Sequence, residues 1–284
     1  MIHFHSIFAD HTSDLVDIFD RIDRNEIDTD IIGIRWCPII SSSIILSRFG
    51  CDCNNPKTIK TVINILKDRL SETKKIGMHF HHASSNLGLQ NWLSQAKSFV
   101  RFCHDFGNIL GRYVSYIDFG GGMSPNSLLD DPLKLSQLFQ MIYQVFGESL
   151  PIIQFQLGKS ISETGGVVIT RIIQIRETND WIINDELENR AVIVDSSISE
   201  ISSPHFHPLY WMNNKTMKWQ LLKAGSDILW GRTCMEFDRI LDGVELPSDA
   251  LPGDLLMITC CGAYDFSMSY DFGDGEGRDI SIIR

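Results

Sequence analysis

The sequence predicts an α/β fold in two parts: a run of parallel βα units over residues 1–165, then a β-rich domain over 166–284. Three observations predict it. Short apolar strands alternate with helical stretches in the first part, which is the signature of parallel βα units. After residue 166 the periodicity turns to strand, and turn residues (LDG, LPSD, LPGD) separate the strands of the second part.

In order, IHFHSIF (2–8) reads as a strand and SDLVDIFDRI (13–22) as an amphipathic helix. DIIGIRWCP (30–38) is a strand, and PKTIKTVINILKDRL (56–70) a helix with apolar residues near helical spacing. KKIGMHFHH (74–82), YVSYIDFGGG (113–122) and LPIIQFQLG (150–158) are strands, separated by helices over 89–107 and 132–147. That makes five strands. In the second part VVITRIIQIRE (167–177), WIINDE (181–186), RAVIVDSS (190–197), DLLMITCCGAY (254–264) and DISIIR (279–284) are β-rich, so a mostly antiparallel domain is expected. There is no internal repeat and no low-complexity segment.

The 284 residues are 43% hydrophobic, enough for one large core or two ordinary ones. A net charge of −11 disfavours nucleic acid, whose phosphates need a basic face. Cys37, Cys51, Cys53, Cys103, Cys234, Cys260 and Cys261 form no CxxC pair, and read as reduced thiols of a cytoplasmic protein. The opening Met1-Ile-His-Phe-His lacks a basic region and a long apolar run, so no signal peptide is expected, and no stretch reaches membrane-spanning length.

GMHFHHAS places His79 and His81 on one face of a strand and Phe80 and His82 on the other. Such a pair can hold a metal, as in metal-dependent hydrolases, only with ligands at other strand ends. Those ends, DFGGG and QFQLG, are poor in histidine. DFGGGM (118–123) sets three glycines after a strand, where backbone amides can approach an anion and a following helix adds its dipole; it also reads as a tight turn. Cys234 lies in the loop WGRTCMEFD beside acidic groups, and Tyr264 in a Gly-Ala-Tyr turn. Each has a plain structural reading: an inert thiol and a packed ring.

The order GMHFHHAS, DFGGGM, QLGKS, VDSS, HPLY, GRTC and PGD…CCGAYDFSM, with IRW…SRFG upstream, resembles the fold-type III pyridoxal-phosphate decarboxylases that act on diaminopimelate, ornithine, arginine and related amino acids. The resemblance covers nearly the whole chain. It implies a (β/α)8 barrel of the TIM-like, alanine-racemase-like kind, present here in part, followed by a β-domain. It also implies a head-to-tail dimer with sites at the interface. By the same resemblance His81 stacks on the cofactor ring, Ser84 helps bind its phosphate, and Gly120, Gly121 and Gly122 cradle that phosphate with help from Tyr264. Gln156, Gly158 and Lys159 complete the cofactor set, Cys234 is the cysteine a dimer partner inserts, and Arg35, Asp195, His207 and Glu236 are the substrate-side candidates.

The chain departs from that pattern. By family order IHFHSIF corresponds to the fourth barrel strand, so the first three strands and the Schiff-base lysine are not expected within this sequence; no lysine precedes Lys57. The family's Glu-Pro-Gly-Arg reads Gln156-Leu157-Gly158-Lys159. A glutamine can hydrogen-bond the ring nitrogen without carrying charge, and a lysine keeps the arginine's charge but loses its fork. Met235, with Glu236 one step on, replaces the acidic residue usual beside the cysteine, and Ala83 replaces a glycine. The expectation is a pseudoenzyme that keeps non-covalent pyridoxal 5'-phosphate and an amino-acid-like ligand or a partner. The alternative is one subunit of a split decarboxylase, and a remote third is a metal hydrolase using His79 and His81. Five barrel strands leave two open edges, so a homodimer or a complementary chain bearing the missing strands is expected to cover them.

Overall fold

The computed structural model describes residues 1–37, 48–81, 88–122, 132–177, 190–201 and 208–272. The chain divides into two compact units, Met1–Gly158 and Lys159–Arg284. Residues 159–165, which the sequence groups with the first part, belong to the second unit. There the Glu163 carbonyl accepts the Gly262 amide at 3.0 Å and the Gly166 carbonyl accepts the Cys261 amide at 2.9 Å.

The first unit is a mixed α/β layer. Its strands are β1 (Ile2–Ala9), β2 (Ile27–Cys37), β3 (Cys51–Asp52), β4 (Lys75–Phe80), β5 (Tyr116–Asp118) and β6 (Ile152–Gln154), and its helices α1 (Thr12–Asp23), α2 (Pro56–Arg69), α3 (Gly88–Leu110) and α4 (Pro132–Phe146). All pairings are parallel, in the order β1-β2-β4-β5-β6, with the two-residue β3 attached to β2. Local chemistry sets the starts of the first two helices. The Asn55 side chain caps α2 by accepting the Lys57 and Thr58 amides, with Pro56 at the first helical position, where its missing N–H costs nothing. At α1, His11 plays the cap and Asp14 returns a bond to the His11 amide.

Strand alternation sends the two side-chain sets to opposite faces. Ile32, Ile34, Trp36, Ile76, Met78, Phe80, Ile117 and Phe119 are buried in one core with helix residues such as Leu15, Leu66, Trp92, Phe99 and Leu138. The other face has a different composition. Phe8 lies over Gly33 and Gly77, where added Cβ atoms would fall 2.2 and 3.0 Å from its ring, and packs its edge on His79 and Tyr116. Beyond that aromatic layer the face turns polar at the carboxyl ends of the strands.

The second unit carries a seven-stranded sheet in the order β10-β9-β13-β7-β8-β11-β12. The strands are β7 (Val168–Arg176), β8 (Ala191–Val194), β9 (Leu209–Met212), β10 (Trp219–Leu221), β11 (Lys223–Trp230), β12 (Arg239–Glu245) and β13 (Leu255–Ile258). Only β8–β11 is parallel; the rest pair antiparallel. Its core gathers Val168, Ile172, Val192, Val194, Trp211, Leu229, Ile240 and Leu256. The expected strands at 181–186 and 279–284 lie outside the described residues.

Candidate active site

Register builds the site in the first unit. Arg35 pairs with His79, His79 with Asp118 and Asp118 with Gln154, so one row of polar side chains crosses β2, β4, β5 and β6 on the face opposite the described helices of this unit. Asp10, just past β1, extends the row by an ion pair to Arg35 at 3.3 Å. Arg35 also sits over the Phe49 ring at 4.6 Å.

Asp118 is the hub. It is 3% exposed, and its two oxygens accept the Gly120 amide at 2.8 Å and the Gln156 amide nitrogen at 2.7 Å. His79, 8% exposed, brings Nδ1 to 3.2 Å from the Asp118 carbonyl and 3.4 Å from its carboxylate. That nitrogen faces two acceptor oxygens and therefore carries a proton. Burial pushes the Asp118 carboxyl upward, but the His79 ring, the Gly120 amide and Gln156 together hold it below the ordinary carboxylate value.

His81 follows β4 directly. Its Nδ1 accepts the Gly121 amide at 3.1 Å, so Nε2 is the protonated nitrogen, opposite to His79. The glycines explain how three strand ends converge. Gly120 has φ +62°, and a Cβ there would fall 2.7 Å from the Phe80 carbonyl oxygen; at Gly121 it would fall 2.4 Å from that of Gln156. The Gln156 amide in turn donates to the Gly120 carbonyl at 2.7 Å. Two of the three amides expected to cradle a phosphate thus serve Asp118 and His81. Gly122 follows with φ +86°, a left-handed backbone that favours glycine.

The structure therefore brings Arg35, His79, His81, Gly120, Gly121, Gly122 and Gln156 to neighbouring strand ends. Ser84 and His207 lie outside the described residues. Gly158 opens a short helix, Gly158–Ser162, whose Lys159 pairs with Glu163 at 3.5 Å within the second unit. Sequence reading passed over Asp118, treating DFGGGM as a glycine turn. The signal that could have found it was an acidic residue between two strand hydrophobics, in phase with His79 across the strand pair.

In the second unit Cys234 is exposed at the tip of the loop joining β11 to β12. Buried Asp238 holds that loop: it accepts the Ile198 amide at 2.9 Å and the Thr233 amide and hydroxyl at 2.8 and 2.5 Å. Arg232 ties the loop to the end of β8 through the Asp195 carbonyl at 2.7 Å and Glu200 at 3.0 Å. The Asp195 carboxylate accepts the Thr170 hydroxyl at 2.6 Å and the Arg171 amide at 2.8 Å. Glu236 and Tyr264 are exposed, and Tyr264 caps the short helix Asp265–Met268 without a side-chain hydrogen bond. Among the described residues no group of three His, Cys, Asp or Glu side chains is arranged to hold a metal ion, and no helix is long and apolar enough to cross a membrane.

Comparison with known proteins gives one consistent answer. A sequence model described as "Pyridoxal-dependent decarboxylase, C-terminal sheet domain" matches residues 39–262. Diaminopimelate decarboxylase of Pseudomonas fluorescens is 21% identical over 87% of this chain and 55% of its own length. That of Staphylococcus aureus is 23% identical over 95% of this chain and 65% of its own. The chain thus spans about half the length of the curated relatives it matches. Among solved structures, M. jannaschii diaminopimelate decarboxylase in co-complex with L-lysine superposes with a TM-score of 0.70 at 18% identity, over 93% of this chain and 61% of that one. The Paramecium bursaria Chlorella virus arginine decarboxylase bound to agmatine gives 0.66 at 19%, over 96% and 70%. With a family match across most of its length and a fold shared with these structures, the chain belongs to the fold-type III pyridoxal-phosphate-dependent decarboxylase family.

Proposed function

We propose that this chain is a decarboxylase-derived binding protein: it holds a phosphorylated ring cofactor of the pyridoxal 5'-phosphate class non-covalently at the ends of β4, β5 and β6, and does not decarboxylate amino acids by itself. The observation that carries the reading is the Asp118 hub. A buried carboxylate bonded to Gly120 and Gln156 and flanked by His79 is a charge taken out of water and held by donors gathered from three strand ends, an arrangement that suits a binding site. In this reading the first unit is the partial barrel of the family.

The residues fit the group in a specific way. His81 accepts the Gly121 amide through Nδ1, the Gln156 side chain donates to Asp118, and glycines 120 and 122 take positive φ at the turn between them. Pyridoxal phosphate, where bound, supplies an electron sink for the bond broken at a substrate's α-carbon. The chain's own residues bind and orient: His81 and Gln156 set the ring's position, the glycine turn after β5 lets the backbone approach the phosphate, and Arg35 with Asp10 presents charge to an amino-acid-like ligand. Cys234 is carried over from the family as the thiol offered to a partner's site. No described lysine lies in the polar row: Lys57 belongs to α2, Lys74 pairs with Asp28 at 2.5 Å, and Lys159 with Glu163.

A second reading is favoured by the exposed apolar side chains of β1. Here the chain is one subunit of a split decarboxylase, and a covering polypeptide brings the lysine. One experiment separates the two. Purified chain is incubated with pyridoxal phosphate, reduced with borohydride, mapped by mass spectrometry, and assayed for decarboxylation of diaminopimelate, ornithine, arginine and lysine. Retained cofactor without a pyridoxyl-lysine and without turnover is the expected result. A single modified lysine together with turnover overturns it, and turnover only after adding a second chain establishes the split enzyme.

A further inference from the structure

Helix α4 differs from the other described helices of its unit in charge. α1 carries Asp14, Asp17 and Arg21, α2 carries Lys60 and Asp68, and α3 carries Arg101 and Asp105. From Leu135 to Gly147 there is no charged residue. Yet this neutral helix shows large apolar side chains to solvent: Leu133 is 73%, Phe139 46% and Tyr143 65% exposed. Missing charge together with aromatic rings is the composition of an interface centre. One flank of α4 is taken by α3, whose Lys97 donates to Gln137 at 3.2 Å. Helical spacing turns Phe139 and Tyr143, four residues apart, away from that flank. Phe139 stands edge-on to Phe155, just past β6, with ring centroids 6.3 Å apart. The open flank of α4 therefore lies along the outer edge of β6.

That edge is open in the sheet layer too. The Ile152 amide donates to Ser115, the Gln156 amide to Gly120, and the Gln154 carbonyl accepts from Phe119, all toward β5. The alternate amides, of Ile153 and Phe155, point the other way, where the described sheet has no further strand.

We propose that a second copy of this chain docks on this edge by the same surface, β6 against β6 antiparallel and α4 against α4, about a twofold axis normal to the sheet. A right-handed crossover lays α4 over β5 and β6. Strands about 4.8 Å apart then put the two α4 axes about 10 Å apart, which is a helix packing distance. Like meets like here without bringing like charges together. At the opposite edge it would bring them together: Arg69 of α2 pairs with Asp20 and Asp23, so the α1 flank away from α2 is the one with Asp14, Asp17 and Arg21. A self-complementary contact also closes at two copies, whereas contact with a different surface leaves a free patch at each end. Leu133, Phe139, Tyr143 and the half-exposed Ile152 of β6 offer about 100 Å² each, about half of the roughly 800 Å² that a stable interface buries per partner. The neutral Gln140 and Gln144 and the paired strand edges supply the remainder. This contact is distinct from the head-to-tail one through Cys234 that the family resemblance implies, and it stands independently of the cofactor reading.

The test is sedimentation velocity and native mass spectrometry on the full chain. Wild type is expected to form a complex of its own copies at micromolar concentration. Tyr143→Glu is expected to raise the dissociation constant of the α4 contact by about thirtyfold or more, the scale of an interface anchor, with far-ultraviolet circular dichroism unchanged. Should that variant fail to fold, Gln140→Glu carries the test at an exposed neutral position, and is expected to weaken the contact by about tenfold as like charges meet across the axis. The amides of Ile153 and Phe155 are expected to exchange with deuterium more slowly as wild-type concentration rises. The contact is separate from the face that carries Phe4, so Tyr143→Glu should lower the mass of a Phe4→Glu protein as well. A monomeric wild type, a complex with a different polypeptide in place of the second copy, exchange at Ile153 and Phe155 that ignores concentration, or a dimer indifferent to both α4 substitutions overturns the proposal.

Discussion

Gly121 sits where the carbonyl of Gln156 meets the ring of His81, at 2.4 Å and 3.5 Å from where a Cβ would stand. The first of these contacts is with backbone, which cannot swing aside. Gly121→Ala is therefore expected to part the ends of β5 and β6, to cost about 1–3 kcal/mol in urea unfolding, and to abolish binding of pyridoxal phosphate. Full affinity in a stable Gly121→Ala protein would show that the glycines serve only as a turn. Asp118 gives a prediction in pH. Burial acts to raise its folded carboxyl, and His79, Gly120 and Gln156 outweigh burial to hold it below the ordinary value of 3.8. A depressed carboxyl contributes stability that is fully present above the unfolded value and is lost as pH falls through the folded one. Wild type should thus exceed Asp118→Asn by about 1–3 kcal/mol near neutrality, with the gap closing as pH drops below 3.8. A gap that stays constant down to pH 2 would mean that Asp118 is not the ionised partner the geometry indicates.

The strands and helices owe their places to periodicity, and here the sequence was most legible. The apolar spacing of α2 and α3 and the alternation of β1, β2 and β4 identify elements that the structure contains. Tertiary contacts explain what was missed. The two-residue β3 exists because Cys51 and Asp52 pair with Trp36 and Cys37, a contact no local pattern announces. β11 begins Lys-Ala-Gly-Ser, poor strand formers, and is held by pairing with both β8 and β12. In the site, strand alternation already put His79 and His81 on one face. The hub was illegible because it depends on cross-strand register, His79 to Asp118 to Gln154, which a single sequence does not display. Register also decides a test at this scale. Gly33 and Gly77 are neighbours in the pairing of β2 with β4, and together they make the floor for the Phe8 ring. Gly33→Ala places a methyl group 2.2 Å from ring atoms of a side chain that has two torsions to move. It is expected to destabilise by about 1–3 kcal/mol, and Phe8→Leu in the same chain to recover part of that loss. Thermal unfolding of the double-mutant cycle measures it, and strict additivity would show that the ring does not rest on Gly33.

At the scale of the whole molecule, the parallel sheet of the first unit raises the question of what lies against the face opposite its described helices. Parallel sheets are stable when both faces are covered, because their strands are apolar on both. Helices cover one face here. On the other, Ile2 and Phe4 of β1 are 62% and 42% exposed, and Ile152 of β6 is 54% exposed. These side chains stand on the two end strands of the described sheet, on the face that carries Phe8, His79 and Asp118. End strands also present unpaired backbone donors and acceptors, the usual template for pairing with another chain. Burying Ile2, Phe4 and Ile152 would contribute about 1.5–3 kcal/mol each, an upper bound that further strand pairing would supplement. The expected state is therefore an oligomer: a homodimer, or a complex with a polypeptide that continues the sheet from β1 or β6. Light scattering across a dilution series should report a mass above that of one chain at micromolar concentration. Phe4→Glu, which places a charge on that face without touching the core, should shift the series toward monomer while leaving far-ultraviolet circular dichroism unchanged. A well-behaved wild-type monomer throughout the series would mean that these end strands tolerate water, and would remove the physical reason for a covering chain and, with it, the main support for the split-enzyme reading.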